Sequence, residues 1–297
     1  MYIFICVDFD RDYAYPMKNI LHAVSKTIQL DSSNKLLNDP FKSLSIQGTI
    51  NCFNPFMKYL TDKNLHTTFY FEARTTEIFL QKVQESANMF NKPFFEFGVH
   101  GYDHEDLRGD ETGLRLNKNE EAAVIKKAKD EIERLFSKEV SGFRAPYMKL
   151  TSNTLDILST LDFIYDSSIY KESESGIKPY KTKEGIIEFP VIKTPKESPM
   201  KGMYTYLWPL FENKRSLEET IDNYLQLVKN SVDDNSFISI NLHSWHFAYN
   251  IEQNQFLSKD EIVKNIQSFD SLISALEIDE KVVFSTPKKW LDENNFL

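Results

Sequence analysis

Met1-Tyr2-Ile3-Phe4-Ile5-Cys6-Val7 runs uncharged into Asp8-Phe9-Asp10. An apolar run that does not alternate with polar residues is the pattern of a strand covered on both faces, as in a parallel sheet. It has no basic leader and no small-residue cleavage site, so it reads as a strand and not as a secretion signal. Similar runs follow at residues 66–71, 94–100, 141–147, 163–168, 186–191, 237–243 and 282–286. Helical stripes lie between them. Ile262, Ile266, Phe269, Ile273 and Leu276 recur at intervals of four and three, as do Val124, Ala128, Ile132 and Leu135, and Leu217, Ile221, Tyr224 and Val228. Ser258 with Glu261, and Ser216 with Glu219, have the spacing of a capping box at a helix start.

Strand–helix alternation along the whole chain predicts an α/β fold with a parallel sheet. Eight candidate strands favour a barrel over an open sheet. At 297 residues the chain fits one α/β barrel of roughly 250 residues with additions. The expectation is therefore a single-domain, distorted TIM-like barrel of seven or eight β/α units over residues 1–297, with insertions at about 30–51 and 193–215. The first insertion is polar and aperiodic. The second holds three prolines with Tyr204, Tyr206, Trp208 and Phe211. Loops that long in a compact domain usually serve function, so these aromatics either pack the loop down or meet substrate.

Composition narrows the function. Hydrophobic content of 41% and charged content of 27% are ordinary for a globular protein. Thirty-five basic against 44 acidic residues give a net charge of −9, which argues against a general nucleic-acid binder. No stretch approaches the ~20 apolar residues that span a bilayer. Cys6 and Cys52 are too few for a disulfide framework or a cysteine-based zinc site. A soluble, cytoplasmic protein without a nucleic-acid or membrane partner is expected. Homo-oligomer formation stays open.

Candidate chemistry gathers where strands end, which is where parallel α/β proteins build their sites. His100 and His104 stand four apart in His100-Gly101-Tyr102-Asp103-His104, with Gly101 allowing a sharp turn after the strand. Asp8 and Asp10 fall on one side of the first strand by its period of two. Two carboxylates at the end of an apolar strand need a cation or hydrogen bonds, so a His–His–carboxylate metal site would account for them. Capping of a following helix is the other account. Arg144-Ala145-Pro146-Tyr147 supplies a cation that could pair with a carboxylate, and Leu242-His243-Ser244-Trp245-His246 ends another strand.

Taken in order, Asp8-Phe9-Asp10, His100-Gly101-Tyr102-Asp103-His104, Arg144-Ala145-Pro146-Tyr147, Tyr165-Asp166-Ser167-Ser168 and Leu242-His243 resemble the motifs of the polysaccharide deacetylases with a NodB-homology domain, carbohydrate esterase family 4. The Asp-x-Asp form looks most like the intracellular branch, which includes peptidoglycan-deacetylase-like proteins and hydrolases of small cyclic amides. This resemblance implies a NodB-type barrel and one divalent metal, usually Zn2+, on Asp10, His100 and His104. It implies Asp8 as general base, Arg144 as the partner that holds it, and the backbone N–H of Tyr147 as an oxyanion donor. His243 would be the general acid, tuned by Asp166, with Leu242 and Trp245 on the substrate side. The sequence departs from the family in three places. Phe9 separates the two aspartates and Asp12 follows, leaving Asp12 as a competing ligand. Ile169 and Tyr170 stand where a second Asp and a Trp are common. His246 stands where an acid is common, and is read as a packing histidine.

The implied activity is metal-dependent hydrolysis of an N-acyl, in the first place acetyl, group on a sugar or polysaccharide, a carbon–nitrogen bond other than a peptide bond. The alternatives are hydrolysis of a small cyclic amide or imide on the same scaffold, a non-catalytic carbohydrate-binding member, and an iron enzyme using two histidines and one carboxylate.

Overall fold

The computed structural model describes residues 1–11, 44–110, 115–250, 253 and 255–296. In chain order the elements are β1 (Tyr2–Phe9), α1 (Leu44–Asp62), β2 (Thr67–Phe71), α2 (Ala73–Lys82), α3 (Ser86–Phe90), β3 (Phe95–Val99), α4 (Lys118–Phe136), β4 (Gly142–Phe143), α5 (Thr154–Thr160) and β5 (Tyr165–Asp166). There follow β6 (Tyr170–Glu172), β7 (Tyr180–Lys181), β8 (Ile187–Glu188), β9 (Val191–Lys193), α6 (Trp208–Phe211), α7 (Leu217–Asn230), β10 (Phe237–His243), β11 (Tyr249–Asn250), β12 (Gln255–Phe256), α8 (Lys259–Glu277), β13 (Val283–Ser285) and α9 (Pro287–Glu293).

The main sheet runs β10-β1-β2-β3-β4-β5-β8-β7, with β13 beside the first half of β1. Pairing is parallel throughout except between β7 and β8. The sheet curls towards closure, where isolated bridges join β10 to Ile177 and to Tyr206. This is the distorted α/β barrel expected from the sequence. The distortion has a local cause: β4, β5 and β8 are two residues long, so one side of the barrel is mostly loop.

Side-chain size decides which face each strand turns inwards. Along β2, Phe69 and Phe71 pack on Phe90, Phe95 and Phe97 beneath the helices. The alternate residue Tyr70 lies within the barrel against Arg144. Glycines on neighbouring strands make room for Tyr70 and for Tyr165: a Cβ on Gly98 would lie 2.5 Å from the Tyr70 ring, and one on Gly142 would lie 2.1 Å from the Tyr165 ring. Each aromatic buried this way contributes about 1.5–3 kcal/mol by area alone.

The helical stripes of α7 and α8 bury Tyr224 and Val228, and Ile262, Phe269, Ile273 and Leu276. On α4 the buried line is Ile125, Ala128 and Ile132, with Val124 and Leu135 at its margin. Ser258 and Glu261 form the reciprocal capping box, and Ser216 accepts from the Glu219 N–H. Asn117 and Glu120 form a further box on α4, with asparagine in place of serine at the cap.

The first insertion needs correction at its end. Residues 44–51 are the opening turns of α1, where Ile46 and Thr49 are buried. They look aperiodic because polar groups face inwards: the Thr49 hydroxyl bonds that of Ser244 at 2.8 Å. Residues 30–43, and Asp12, lie outside the described residues. No helix among the described residues is long and apolar enough to cross a membrane.

Candidate metal-dependent active site

Parallel strands bring their C-terminal ends to one rim. That rim carries Asp8 and Asp10 from β1, Glu72 from β2, His100 from β3, Arg144 from β4, Asp166 from β5 and His243 from β10. In the β1–β10 register Asp8 stands opposite His243, so residues 235 positions apart become neighbours.

Asp10, His100 and His104 each offer a ligand atom, and these atoms lie within 4.8 Å of one another. Asp10 Oδ2 is 3.7 Å from His100 Nε2 and 3.5 Å from His104 Nε2. Ligands about 2.0–2.1 Å from one tetrahedral zinc stand about 3.4 Å apart, so the spacing fits a single ion. The tautomers fit as well. His100 Nδ1 lies 2.8 Å from the Arg144 carbonyl, which can only accept, so Nδ1 carries the proton and Nε2 presents its lone pair. Burial lowers the pKa of both imidazoles, and at His104 the neighbouring His100, His243 and Arg11 lower it further. Both rings are thus neutral, the form that binds metal. His104 sits at φ 55° after Gly101 at φ 76°, a left-handed pair that turns the chain back so both rings face Asp10. Among the described residues its buried Nδ1 has no hydrogen-bond partner.

Asp8 has a different environment. Its Oδ1 accepts from Arg144 Nη1 at 2.8 Å and its Oδ2 from the Tyr206 hydroxyl at 3.1 Å. Burial pushes its carboxyl up, but Arg144, aided by His100 and His243, more than offsets this and holds Asp8 below the usual carboxylate value. Arg144 is fully buried, and it donates also to the Ser167 carbonyl and hydroxyl. Pro146, Tyr147 and Met148 form a 3-10 turn in which Tyr147 and Met148 have φ 58° and 57°. That strained turn re-aims the backbone beside His104, whose ring meets the Tyr147 ring edge-on at 4.7 Å.

His243 lies between two aromatic faces, 5.0 Å from Trp245 and 6.0 Å from Tyr206. Its Nδ1 is 3.0 Å from both oxygens of Asp10. Burial disfavours its charged form, but Asp10 outweighs that and raises its pKa. Nε2 is left as the nitrogen open to the site, on a ring whose side chain is 25% exposed.

Several expected contacts differ. Asp166 does not touch His243: it accepts from the Ser168 hydroxyl at 2.6 Å and bonds Glu188, while Asp10 takes the place beside His243. The cause is local, since β5 ends at Asp166 and the chain turns it towards β8. Trp245 is buried, and its indole N–H donates to Asp10 at 3.2 Å instead of lining an open substrate surface. Leu242 is fully enclosed in the core. His246 is a buried packing residue whose Nδ1 accepts from the His243 backbone N–H at 3.3 Å. Sequence reasoning did not single out Tyr206 within its loop, nor Glu72. The strand-end rule that selected Asp8 and His100 applies equally to Glu72, which directly follows β2.

Comparison with known proteins supports the resemblance read from the motifs. Residues 47–165 match the family model for polysaccharide deacetylase. No curated protein matches the chain in sequence. Among solved structures, a protein designated a polysaccharide deacetylase from Mycobacterium smegmatis is 15% identical with a TM-score of 0.66, over 99% of this chain and 90% of that one. Puue allantoinase is 14% identical with a TM-score of 0.61, over 98% and 89%. The 4-alpha-glucanotransferase of Thermococcus litoralis is 14% identical with a TM-score of 0.63, over 99% of this chain and 40% of that one. At these identities the likeness is one of fold. The chain thus carries a NodB-type deacetylase fold with a three-residue candidate metal site at its rim.

Proposed function

We propose that the protein is a metal-dependent hydrolase that removes an N-acyl group, acetyl in the first place, from a sugar or polysaccharide, with Zn2+ on Asp10, His100 and His104. The observation that carries this reading is the cluster of those three ligand atoms next to a separately ion-paired Asp8. When bound, a divalent cation would acidify water and polarise the amide carbonyl. Asp8, held ionised by Arg144, takes the proton of the attacking water. Arg144 and Tyr206 fix its two oxygens, so the carboxylate cannot swing away. His243 gives its proton to the departing nitrogen, which spares formation of an amine anion. A positioned acid or base of this kind is worth about 10²–10⁴-fold. The roles are separated by their partners: Arg144 holds Asp8 ionised, and His243 Nδ1 is held by Asp10 so that Nε2 faces the site.

Charge balance supports the same reading. Asp8 is matched by Arg144, whereas among the described residues Asp10 contacts only histidines and the Trp245 N–H. The test is metal analysis of the purified protein, followed by a screen of N-acetylated glucosamine oligomers and small cyclic amides. Acetate release that stops on chelation and returns with Zn2+ is expected. Ring opening without acetate moves the substrate to a cyclic amide, and iron-dependent oxygen uptake or the absence of any metal overturns the proposal.

A further inference from the structure

Behind the metal ligands lies a second buried polar cluster that the hydrolytic chemistry does not use. Arg11 directly follows Asp10 and is 1% exposed. Its backbone N–H donates to Glu72 Oε2 at 2.9 Å and its Nε to Glu72 Oε1 at 2.7 Å, with Nη2 also on Oε1. The same Nη2 reaches Asp103 Oδ1 at 3.0 Å. Arg74 holds Asp103 from the other side at 3.2 Å, and the Thr75 hydroxyl donates to Glu72 Oε2 at 2.6 Å.

Asp103 belongs to the turn between His100 and His104. That turn is fixed further by the Glu105 carboxylate, which accepts from the Tyr102 and Asp103 N–H groups at 2.9 and 3.0 Å. The Ala73 and Arg74 N–H groups donate to the Gly101 and Tyr102 carbonyls. A guanidinium forms a planar fork that an ammonium cannot replace when two carboxylates must be bridged.

The geometry points to Arg11 as a positioning residue for the metal: it ties the β1 end that carries Asp10 to the turn that carries both histidines, through Glu72 and Asp103. This inference rests on the proposed metal site. It has an unusual sign. A buried guanidinium on the residue next to Asp10 repels a cation placed on Asp10, so charge alone would make Arg11 a hindrance to a metal ion. Burial and the loss of its partner would also let Glu72 take up a proton in its absence. Deleting the guanidinium should therefore leave Zn2+ binding unchanged or tighter if charge were its only role, and weaker if it sets ligand spacing.

The experiment compares Zn2+ affinity of the full chain with Arg11→Met and Arg11→Lys variants, using a chromophoric chelator as competitor, with the Co2+ absorption spectrum as a second reading. Arg11→Met should bind Zn2+ about 10–100-fold more weakly, as orienting residues behind metal ligands do, and its Co2+ spectrum should lose tetrahedral character. Arg11→Lys keeps the charge and the fold with one carboxylate contact, and should fall between. Should the Met variant not fold, the Lys variant decides. Affinities of both variants at or above that of the parent chain overturn the inference. Hydrogen exchange of the metal-free protein separates the two readings: faster exchange at the Tyr102 and Asp103 amides in the variants is expected even if the parent chain binds no Zn2+. In that event the metal site fails while the brace stands, and unchanged exchange removes the brace.

Discussion

Replacing Asp8 by Asn tests the division of labour between the two aspartates. Asparagine keeps the shape of the side chain and an acceptor for Arg144 Nη1, and deletes only the charge. Arg144 is then left fully buried on the carbonyl and hydroxyl of Ser167, both neutral. Breaking a buried ion pair by removing one partner costs about 3–5 kcal/mol. The retained hydrogen bond places Asp8→Asn at the lower end, about 3 kcal/mol, and at about 2 °C per kcal/mol the melting temperature should drop by ~6 °C. Because folding holds the Asp8 carboxyl below its ordinary value, this contribution is fully present above the unfolded pKa of about 3.9 and is lost as pH falls through the folded value. The gap between the two proteins should therefore close on acidification. One Zn2+ should remain bound, since Asp10, His100 and His104 are untouched. Turnover should fall by at least about 10²-fold. Thermal melts from pH 7 down to 3, metal analysis and an acetate assay together decide the matter. A variant that loses its metal while melting like the parent chain would show that Asp8, not Asp10, is the ligand.

His243→Ala should retain Zn2+ and lose about 10²–10⁴-fold in turnover, and near-normal rates would remove His243 from the mechanism. Tyr206→Phe deletes one hydrogen bond to an ionised carboxylate, worth about 1.5–3 kcal/mol, so kcat should drop about 10–100-fold with Zn2+ affinity unchanged. Burial and the nearby Asp166 raise the Glu188 pKa, so the pair shares a proton that the unfolded chain releases. Stability should accordingly fall as pH rises from about 4.3 towards the folded value, and Glu188→Gln, whose amide donates to Asp166, should flatten that slope in melts between pH 5 and 9.

The architecture was legible because the strands near the barrel centre are long and dense in Val, Ile and Phe: β1, β2, β3 and β10 fall where the apolar runs do. Reading became poorer where polar atoms are buried by pairing. The start of α1 hides Thr49 against Ser244, and the short strands β4 and β5 carry little of the apolar signal. The site behaved similarly. Residue type and strand-end position were enough to gather Asp8, Asp10, His100, Arg144 and His243. They could not say which oxygen meets which nitrogen. Asp166 is expected beside His243, where Asp10 stands instead, because motif order carries no information about the direction in which a side chain leaves a two-residue strand. Tyr206 reaches Asp8 across 198 positions from an irregular loop, where no period marks an inward residue.

The placement of β1 between β10 on one side and β2 and β13 on the other has a consequence for how such an enzyme comes into being. During synthesis the segment bearing Asp8 and Asp10 emerges long before its neighbour with His243, which follows more than two hundred residues later. Until then, the proposed acid–base pair has only one member. On the proposed mechanism, hydrolytic competence would arrive at a single late moment, and no fragment limited to residues 47–165 would inherit it, since neither the aspartates nor His243 lie within those bounds.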